Sequence, residues 1–132
     1  MAKEAERRGD FTCHIEPASD GSGYIGIFRY RTIDSGAISG GSSLDVRSQF
    51  NTICDMIDEG AQLRGGVVMT GYHNQAFQGD VLLVDGEVIG SWKADEEEWC
   101  YFTPVGASKH AIEAPSPWML HDLIIEDARK AE

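Results

Sequence analysis

The dipeptide Asp85–Gly86 restricts the fold more than any other feature, because it lies between two apolar runs at residues 81–84 and 87–92. A two-residue hairpin turn needs positive φ angles, and Asp-Gly tolerates these well. A second, acidic turn follows, and residues 99–105 supply another apolar run that Pro104 closes, since proline cannot donate to a strand ladder. The sequence therefore predicts a three-stranded antiparallel meander.

Further strands are predicted nearer the N-terminus. Residues 11–17 alternate between apolar and polar side chains, and residues 24–33 do so over a longer run, with a turn cluster between them. This pattern predicts a hairpin. Residues 34–43 are rich in glycine and serine and are predicted as a turn with at most a short third strand, whereas residues 66–72 predict a short buried strand.

Two helices are predicted from apolar spacing and from their ends. Residues 43–63 follow Ser42 as N-cap, and either Gly60 or the later Gly65–Gly66 pair would end this helix. The second helix has Ser116 as N-cap and Pro117 at its first position, where the missing donor is harmless. The inward stripes comprise Val46, Phe50, Ile53, Cys54, Ile57 and Ala61 in the first helix, and Leu120, Leu123, Ile124 and Ala128 in the second.

These elements predict the α+β class: a mostly antiparallel sheet, made of the N-terminal hairpin plus the three-stranded meander, packed against two helices. A chain of 132 residues is long enough to bury a self-sufficient core. We therefore expect a single domain over residues 11–132. Residues 1–10 carry mixed charge without apolar periodicity and are predicted to be a flexible N-terminus.

The element order of the first sixty residues resembles the small β-β-β-α domain of HicB-type antitoxins. In that family a strand pair rich in aromatic residues leads through a glycine-containing turn into a helix, as residues 11–17, 24–33 and 43–50 do here. The resemblance covers less than half of the chain. It implies a β-β-β-α arrangement and no particular activity.

Negative charge is the unusual property of the composition. The chain has 22 acidic and 11 basic residues, a net charge of −11. Residues 65–127 hold 11 carboxylates against only Lys93 and Lys109, so that half carries −9. Nucleic-acid affinity comes largely from cations that displace counterions, and direct binding of DNA or RNA to this half is therefore not expected.

Cysteine content and hydropathy indicate the compartment in which the chain is expected. The three cysteines form an odd number without CxxC spacing, which disfavours a disulfide framework and favours a reducing compartment. No apolar run approaches the roughly 20 residues that span a bilayer, and residues 1–10 lack the apolar segment of a signal peptide. We expect a cytoplasmic protein that does not insert into a membrane.

Catalytic and metal-binding patterns are weak. No GxSxG motif is present, and Cys54, on the apolar stripe of its helix, and Cys100, between Trp99 and Tyr101, occupy positions typical of the core. Histidine and acidic residues form only two-ligand fragments, such as His110 with Glu113, so no metal site and no cofactor is predicted. The polar loop 71–80 is the best candidate for enzymatic chemistry, with His73 and Asp80 as an acid–base pair.

The segment WKADEEEW at residues 92–99 places four consecutive carboxylates between two tryptophans. It is predicted to be the second turn of the meander, with the two tryptophans as a cross-strand pair. Acidic groups steer basic partners, and tryptophan contributes strongly to interface affinity. The predicted binding residues are therefore Trp92, Asp95, Glu96, Glu97, Glu98 and Trp99.

Three functions follow from these observations. The leading hypothesis is a small acidic, non-enzymatic interaction module or inhibitor, a type common in phages and mobile elements. It would bind a basic protein, including a nucleic-acid-binding protein whose nucleic acid it mimics. One alternative is a small hydrolase or transferase with its site in the 71–80 loop. The other is a homo-oligomeric structural or assembly subunit.

Overall fold

The computed structural model describes residues 4–71 and 77–130 of the 132-residue chain. Within these residues the chain forms two antiparallel sheets, ten strands in total, and two α-helices, which confirms the α+β class. It divides into two compact units. Unit 1 comprises Met1–Asp58 and Val84–Gly86, and unit 2 comprises Glu59–Leu83 and Glu87–Glu132. The single domain over residues 11–132 stays a prediction.

Unit 1 is a four-stranded antiparallel sheet with one face covered by a helix. Its strands are β1 (Glu4–Arg8), β2 (Phe11–Pro17), β3 (Tyr24–Tyr30) and β4 (Ile33–Gly40), arranged in chain order, and its helix is α1 (Ser43–Asp58). The helix packs against all four strands. The buried side chains between helix and sheet are Cys13, Ile15, Phe28, Ile38, Val46, Phe50, Ile53 and Cys54.

Residue 26 decides how closely α1 can approach the sheet. A Cβ atom on Gly26 would overlap the Val46 side chain and the Cys13 sulfur. The absence of a side chain therefore lets α1 pack directly on the centre of β3. At the start of α1, Ser42 Oγ accepts a hydrogen bond of 3.1 Å from the Asp45 N–H, which confirms the predicted cap.

Unit 1 differs from the sequence-based prediction in two strands. Glu4–Arg8 lies within the predicted flexible N-terminus but pairs with β2, and Arg8 holds it to α1 through Asp55 and Asp58, each at 2.7 Å. The predicted strand 24–33 ends at Tyr30, and the predicted turn 34–43 contains most of the eight-residue β4. Small residues pair through their backbones here, so β4 shows no apolar alternation.

Unit 2 is a six-stranded antiparallel sheet with one helix. Its spatial strand order is the reverse of the chain order, so neighbouring strands are also consecutive in sequence. The predicted meander forms its centre, and two short strands at the edges were not predicted. The elements are β5 (Gln62–Arg64), β6 (Val67–Met69), β7 (Gln78–Leu83), β8 (Val88–Ala94), β9 (Cys100–Pro104), β10 (Ile112–Ala114) and α2 (Pro117–Lys130).

The ends of both helices follow glycine and capping chemistry. Helix α1 stops at Asp58, five residues earlier than the longest prediction, and Gly60 follows with a φ of 109°. Gln62 and Leu63, the end of the longest predicted helix, instead belong to β5 (Gln62–Arg64). Helix α2 begins as predicted, because Ser116 Oγ accepts a 3.2 Å hydrogen bond from the Met119 N–H.

Helix α2 packs on β6, β9 and β10, and Arg64 clamps its first turn. The Arg64 guanidinium lies 3.4 Å from the centroid of the Trp118 ring and 2.6 Å from the Asp122 carboxylate. It also donates to the Trp118 carbonyl at 2.7 Å. On the sheet face away from α2, Val68 and Leu82 are buried, whereas the polar side chains of Asp80, Ser91, Lys93 and Thr103 line an open depression.

Candidate interaction site at the β8–β9 turn

Residues 95–98, called the acidic tip from here on, form the turn between β8 and β9. Glu98 N–H donates to the Asp95 carbonyl at 3.0 Å, and Asp95 N–H donates to the Trp99 carbonyl at 2.9 Å. These two bonds describe a tight turn with one extra residue in the left-handed region, at Glu98. The prediction that this segment is the second turn of the meander is confirmed.

Asp95 differs from the other three carboxylates because it holds the turn together. Its Oδ1 accepts from the Glu97 and Trp99 N–H groups at 2.9 and 3.0 Å, and its Oδ2 accepts from the Tyr101 hydroxyl at 2.9 Å. The Trp99 N–H, followed by the Tyr101 hydroxyl and the Glu97 N–H, keeps the pKa of Asp95 below its ordinary value. Asp95 is thus primarily a structural residue of the tip.

Glu96, Glu97 and Glu98 are exposed, and no cation among the described residues forms an ion pair with them. Three like charges on consecutive residues repel one another. Because water is their only compensation, a cationic surface that approached them would gain favourable Coulomb energy. These three glutamates are the part of the tip that is available for binding.

Glu98 has a φ of 66°, a conformation that costs an L-residue about 1–2 kcal/mol and glycine much less. We therefore expect Glu98→Gly to raise the free energy of unfolding by about 1 kcal/mol. Glu97→Gly is the matched control, because Glu97 has no positive φ and glycine there should lower stability by about 0.5–1 kcal/mol. Urea denaturation of the two variants measures both changes, and equal effects would refute the assigned strain.

Phe77 lies beside the acidic tip, although sequence analysis did not single it out. Its side chain is 51% exposed and its φ is 53°, a second left-handed non-glycine residue at this place. The Phe77 carbonyl accepts a 2.8 Å hydrogen bond from Ala94 N–H, which attaches it to the end of β8. Phe77, Ala94 and the acidic tip line an open concavity of about 800 Å³.

The two tryptophans that flank the tip have different environments. Trp92 is only 3% exposed, and its Nε1–H donates to the Thr70 carbonyl at 2.8 Å. It lies opposite Phe102 on β9, so the strand register does not form the predicted cross-strand pair with Trp99. Trp99 precedes β9 and is 39% exposed. The structure therefore places Trp92 in the core and Trp99 at the surface.

Three other carboxylates of the acidic half, Asp80, Glu87 and Asp122, lie away from the tip. Asp80 lies on the open face of the sheet, Glu87 precedes β8 whereas the tip follows it, and Asp122 pairs with Arg64 on α2. The seven residues of β8 separate its two ends by about 20 Å. Glu113 is the exception, since it lies opposite Tyr101 in the β9–β10 register. The hydrogen bond to Asp95 raises the pKa of the Tyr101 hydroxyl, and the charges of Glu113 and Glu97 add to this effect.

The alternative catalytic pair is only partly covered by the structure. His73 lies outside the described residues. Asp80 is exposed on β7, where its N–H donates to Thr70 Oγ1 at 2.8 Å and its carbonyl accepts from Thr70 N–H at 3.0 Å. These bonds are typical of a strand position that pairs with a neighbouring chain segment. The pairing of His73 with Asp80 stays a prediction.

Thiols and metal ligands show no reactive grouping in the parts of the chain that the structure describes. All three cysteines are free and buried, and burial raises the pKa of the Cys13 and Cys54 thiols to about 11. His110 Nε2 lies 3.3 Å from Glu113, but no third ligand joins this pair, and no cluster of three ligand-type side chains occurs among residues 4–71 and 77–130. Neither α1 nor α2 is long and apolar enough to cross a bilayer.

Comparisons with known proteins leave the function to be argued from this geometry. A scan against protein-family models, a search of curated proteins and a search of solved structures each find no match. The resemblance in element order to HicB-type antitoxins therefore has no further support. The site described above consists of Phe77 and the three glutamates that have no ion-pair partner among the described residues, and the exposed Trp99 follows them in the chain.

Proposed function

We propose that this chain is a small acidic interaction module that binds a basic protein through the acidic tip, with Phe77 and Trp99 as aromatic contacts. One observation carries the proposal: three exposed glutamates without ion-pair partners among the described residues border a concavity whose wall is an exposed phenylalanine. Charged groups on a rim steer a partner and set its orientation. Buried aromatic side chains supply most of the affinity.

The chemistry of the concavity defines the partner. A complementary segment carries lysine or arginine side chains opposite the glutamates, next to an apolar side chain that covers Phe77. Arginine can pair with a carboxylate and stack on an aromatic ring at the same time, which makes an arginine-containing segment the best match. Cationic segments of this kind are typical of nucleic-acid-binding proteins. We therefore propose such a protein as the target, with nucleic-acid mimicry as the mode of inhibition.

The test compares two variants that lose the same amount of negative charge at different places on the chain. The variant Glu96→Gln/Glu97→Gln/Glu98→Gln removes three negative charges from the tip. The matched control, Glu59→Gln/Glu126→Gln/Asp127→Asn, removes three from exposed residues elsewhere in unit 2 that have no ion-pair partner among the described residues. Both variants start from the native net charge of −11 and reach the same final net charge. Basic proteins are captured from a lysate of the source cells on the native chain at low salt, identified, and titrated against all three chains.

We expect the tip variant to bind the captured partner at least about tenfold more weakly, since three pairs at about 0.5 kcal/mol or more each are lost. Its affinity should also depend less on salt, whereas the control should remain close to the native chain. Equal weakening in both variants would contradict the proposed site. Failure of nucleic acid to compete with the native chain for the captured partner would contradict the mimicry.

A further inference from the structure

The exposed edges of the two sheets differ greatly in their suitability for pairing with another strand. In the described part of the chain, the edge strands of unit 2 are β5 and β10, which have three residues each. Edge strand β1 of unit 1 carries four charged side chains in five residues. Short length and charge both protect an edge from association. These three edges are therefore poor docking sites.

Strand β4 lacks that protection. It has eight residues, contains neither lysine nor proline, and pairs only with β3 among the described residues. Its one charged residue, Asp34, is engaged by Arg29 at 2.6 Å. Gly36, Ala37 and Ser39 are exposed and small, so a second backbone could come within hydrogen-bonding distance without steric conflict. An edge of this kind is a template for another strand.

We propose that β4 is a homodimer interface, at which the β4 strands of two copies pair antiparallel about a two-fold axis. The regular part of the strand, residues 36–40, follows the bulge at Phe28 and Arg29. In the proposed dimer these five residues pair with the same five residues of the second copy, which run in the opposite direction. In that arrangement the two Asp34 carboxylates lie at opposite ends of the paired strands, so no like charges meet. Two-fold symmetric contacts between identical patches are the commonest way in which chains of this size associate.

Dimer formation at the neutral edge and partner binding at the acidic tip should depend on salt in different ways. Each copy carries a net charge of −11, so two copies repel each other at a distance. Added salt screens this repulsion and should strengthen the dimer. Salt should weaken the binding of a basic partner at the tip. The two proposals therefore respond to salt in opposite directions and can fail independently.

The first test is sedimentation of the full chain over a range of concentrations at low and high salt. We expect the native chain to pass from monomer to dimer as concentration rises, at lower concentration in high salt. Ala37→Lys places a charge at the edge and should weaken the dimer at least about tenfold, because residue 38 lies on the axis and the two lysines are diagonal neighbours on the same face of the paired sheet. His14→Lys is the matched control, since His14 lies in the same row on the interior strand β2 and adds the same charge.

A second variant keeps the proposal testable if the lysine disturbs folding. Ala37→Cys should be joined to a second copy by a short bismaleimide, whereas His14→Cys should not, because two β2 strands would be about 24 Å apart in the paired sheet. The native chain is the blank, since its three cysteines are buried. A chain that stays monomeric at every concentration and salt, or equal crosslinking through residues 14 and 37, would overturn the inference. A dimer that Ala37→Lys leaves intact would do so as well.

Discussion

Replacement of Trp92 by alanine is expected to lower the free energy of unfolding of unit 2 by about 3–5 kcal/mol, the usual cost of truncating a buried tryptophan. The residue is 3% exposed and packs in the core with Phe102 and Leu120. Its indole N–H also donates to the Thr70 carbonyl, which would lose that partner. Urea denaturation followed by far-ultraviolet circular dichroism measures the loss.

Two further substitutions show whether the tryptophan acts in the core or at the interface. Trp92→Phe keeps an aromatic ring and should cost less than the alanine variant. Trp99→Ala should cost clearly less stability than Trp92→Ala, because this side chain is 39% exposed, yet it should weaken partner binding about tenfold. If Trp92→Ala left stability unchanged, or if Trp99→Ala lowered it as much, the assignment of the two tryptophans would be wrong.

The sequence contains enough information to predict that Trp92 is buried and Trp99 exposed. In β8 the residues on either side of Trp92 are Ser91 and Lys93, whose polar side chains indicate the outward face. In β9 the inward residues are Cys100 and Phe102, so that Trp99 falls on the other parity. Counting by strand parity would have separated them, whereas their symmetric placement around the carboxylates suggested a pair.

The elements that the sequence predicted are those with a periodic apolar face or a defined turn. Strand β2, the starts of both helices and the meander around Asp85–Gly86 belong to this group. Strand β1 was missed because most of its residues are charged and Arg8 joins it to α1 through ion pairs, and β4 because its pairing uses the backbone of small residues. Neither property leaves an apolar pattern in the sequence.

The sequence predicted the negative charge of the candidate site but not its three-dimensional arrangement. Four carboxylates in a turn were evident from residues 95–98, but Asp95 proved to be bonded within the turn and Glu98 to be in the left-handed region. Phe77 is eighteen or more residues earlier in the chain and reaches the tip only through the register of β7 with β8, in which Gln78 lies opposite Lys93. Long-range register of this kind is set by the whole sheet.

His121 makes the stability of unit 2 sensitive to acid. It is fully buried on α2, and its Nε2 lies 2.8 Å from the Val67 carbonyl, so the neutral ring donates a hydrogen bond there. Burial lowers the pKa of His121 to about 4, and nearby Arg64 lowers it further, while the bond to Val67 and the charge of Asp122 oppose the shift. The same histidine in the unfolded chain has an ordinary pKa near 6.5.

Between pH 6.5 and 4 the unfolded state binds more protons at this site than the folded state, so acid favours unfolding. The contribution of neutral His121 is complete above pH 6.5 and falls by roughly 3 kcal/mol as the pH drops to 4, with about 2 kcal/mol already lost at pH 5. All three tryptophans belong to unit 2, so their fluorescence during urea denaturation at pH 7 and pH 5 reports this loss.

His121→Gln isolates the histidine from the carboxylates that also titrate in acid. Glutamine can still donate an amide N–H to the Val67 carbonyl but does not take up a proton. We expect the variant to start less stable at pH 7 and then to lose about 2 kcal/mol less than the native chain between pH 7 and pH 5. Identical slopes in the two chains would mean that His121 is not the proton-binding group. A steeper slope in the variant would mean that the buried ring is protonated in the folded state, which would place a charge inside the core of unit 2.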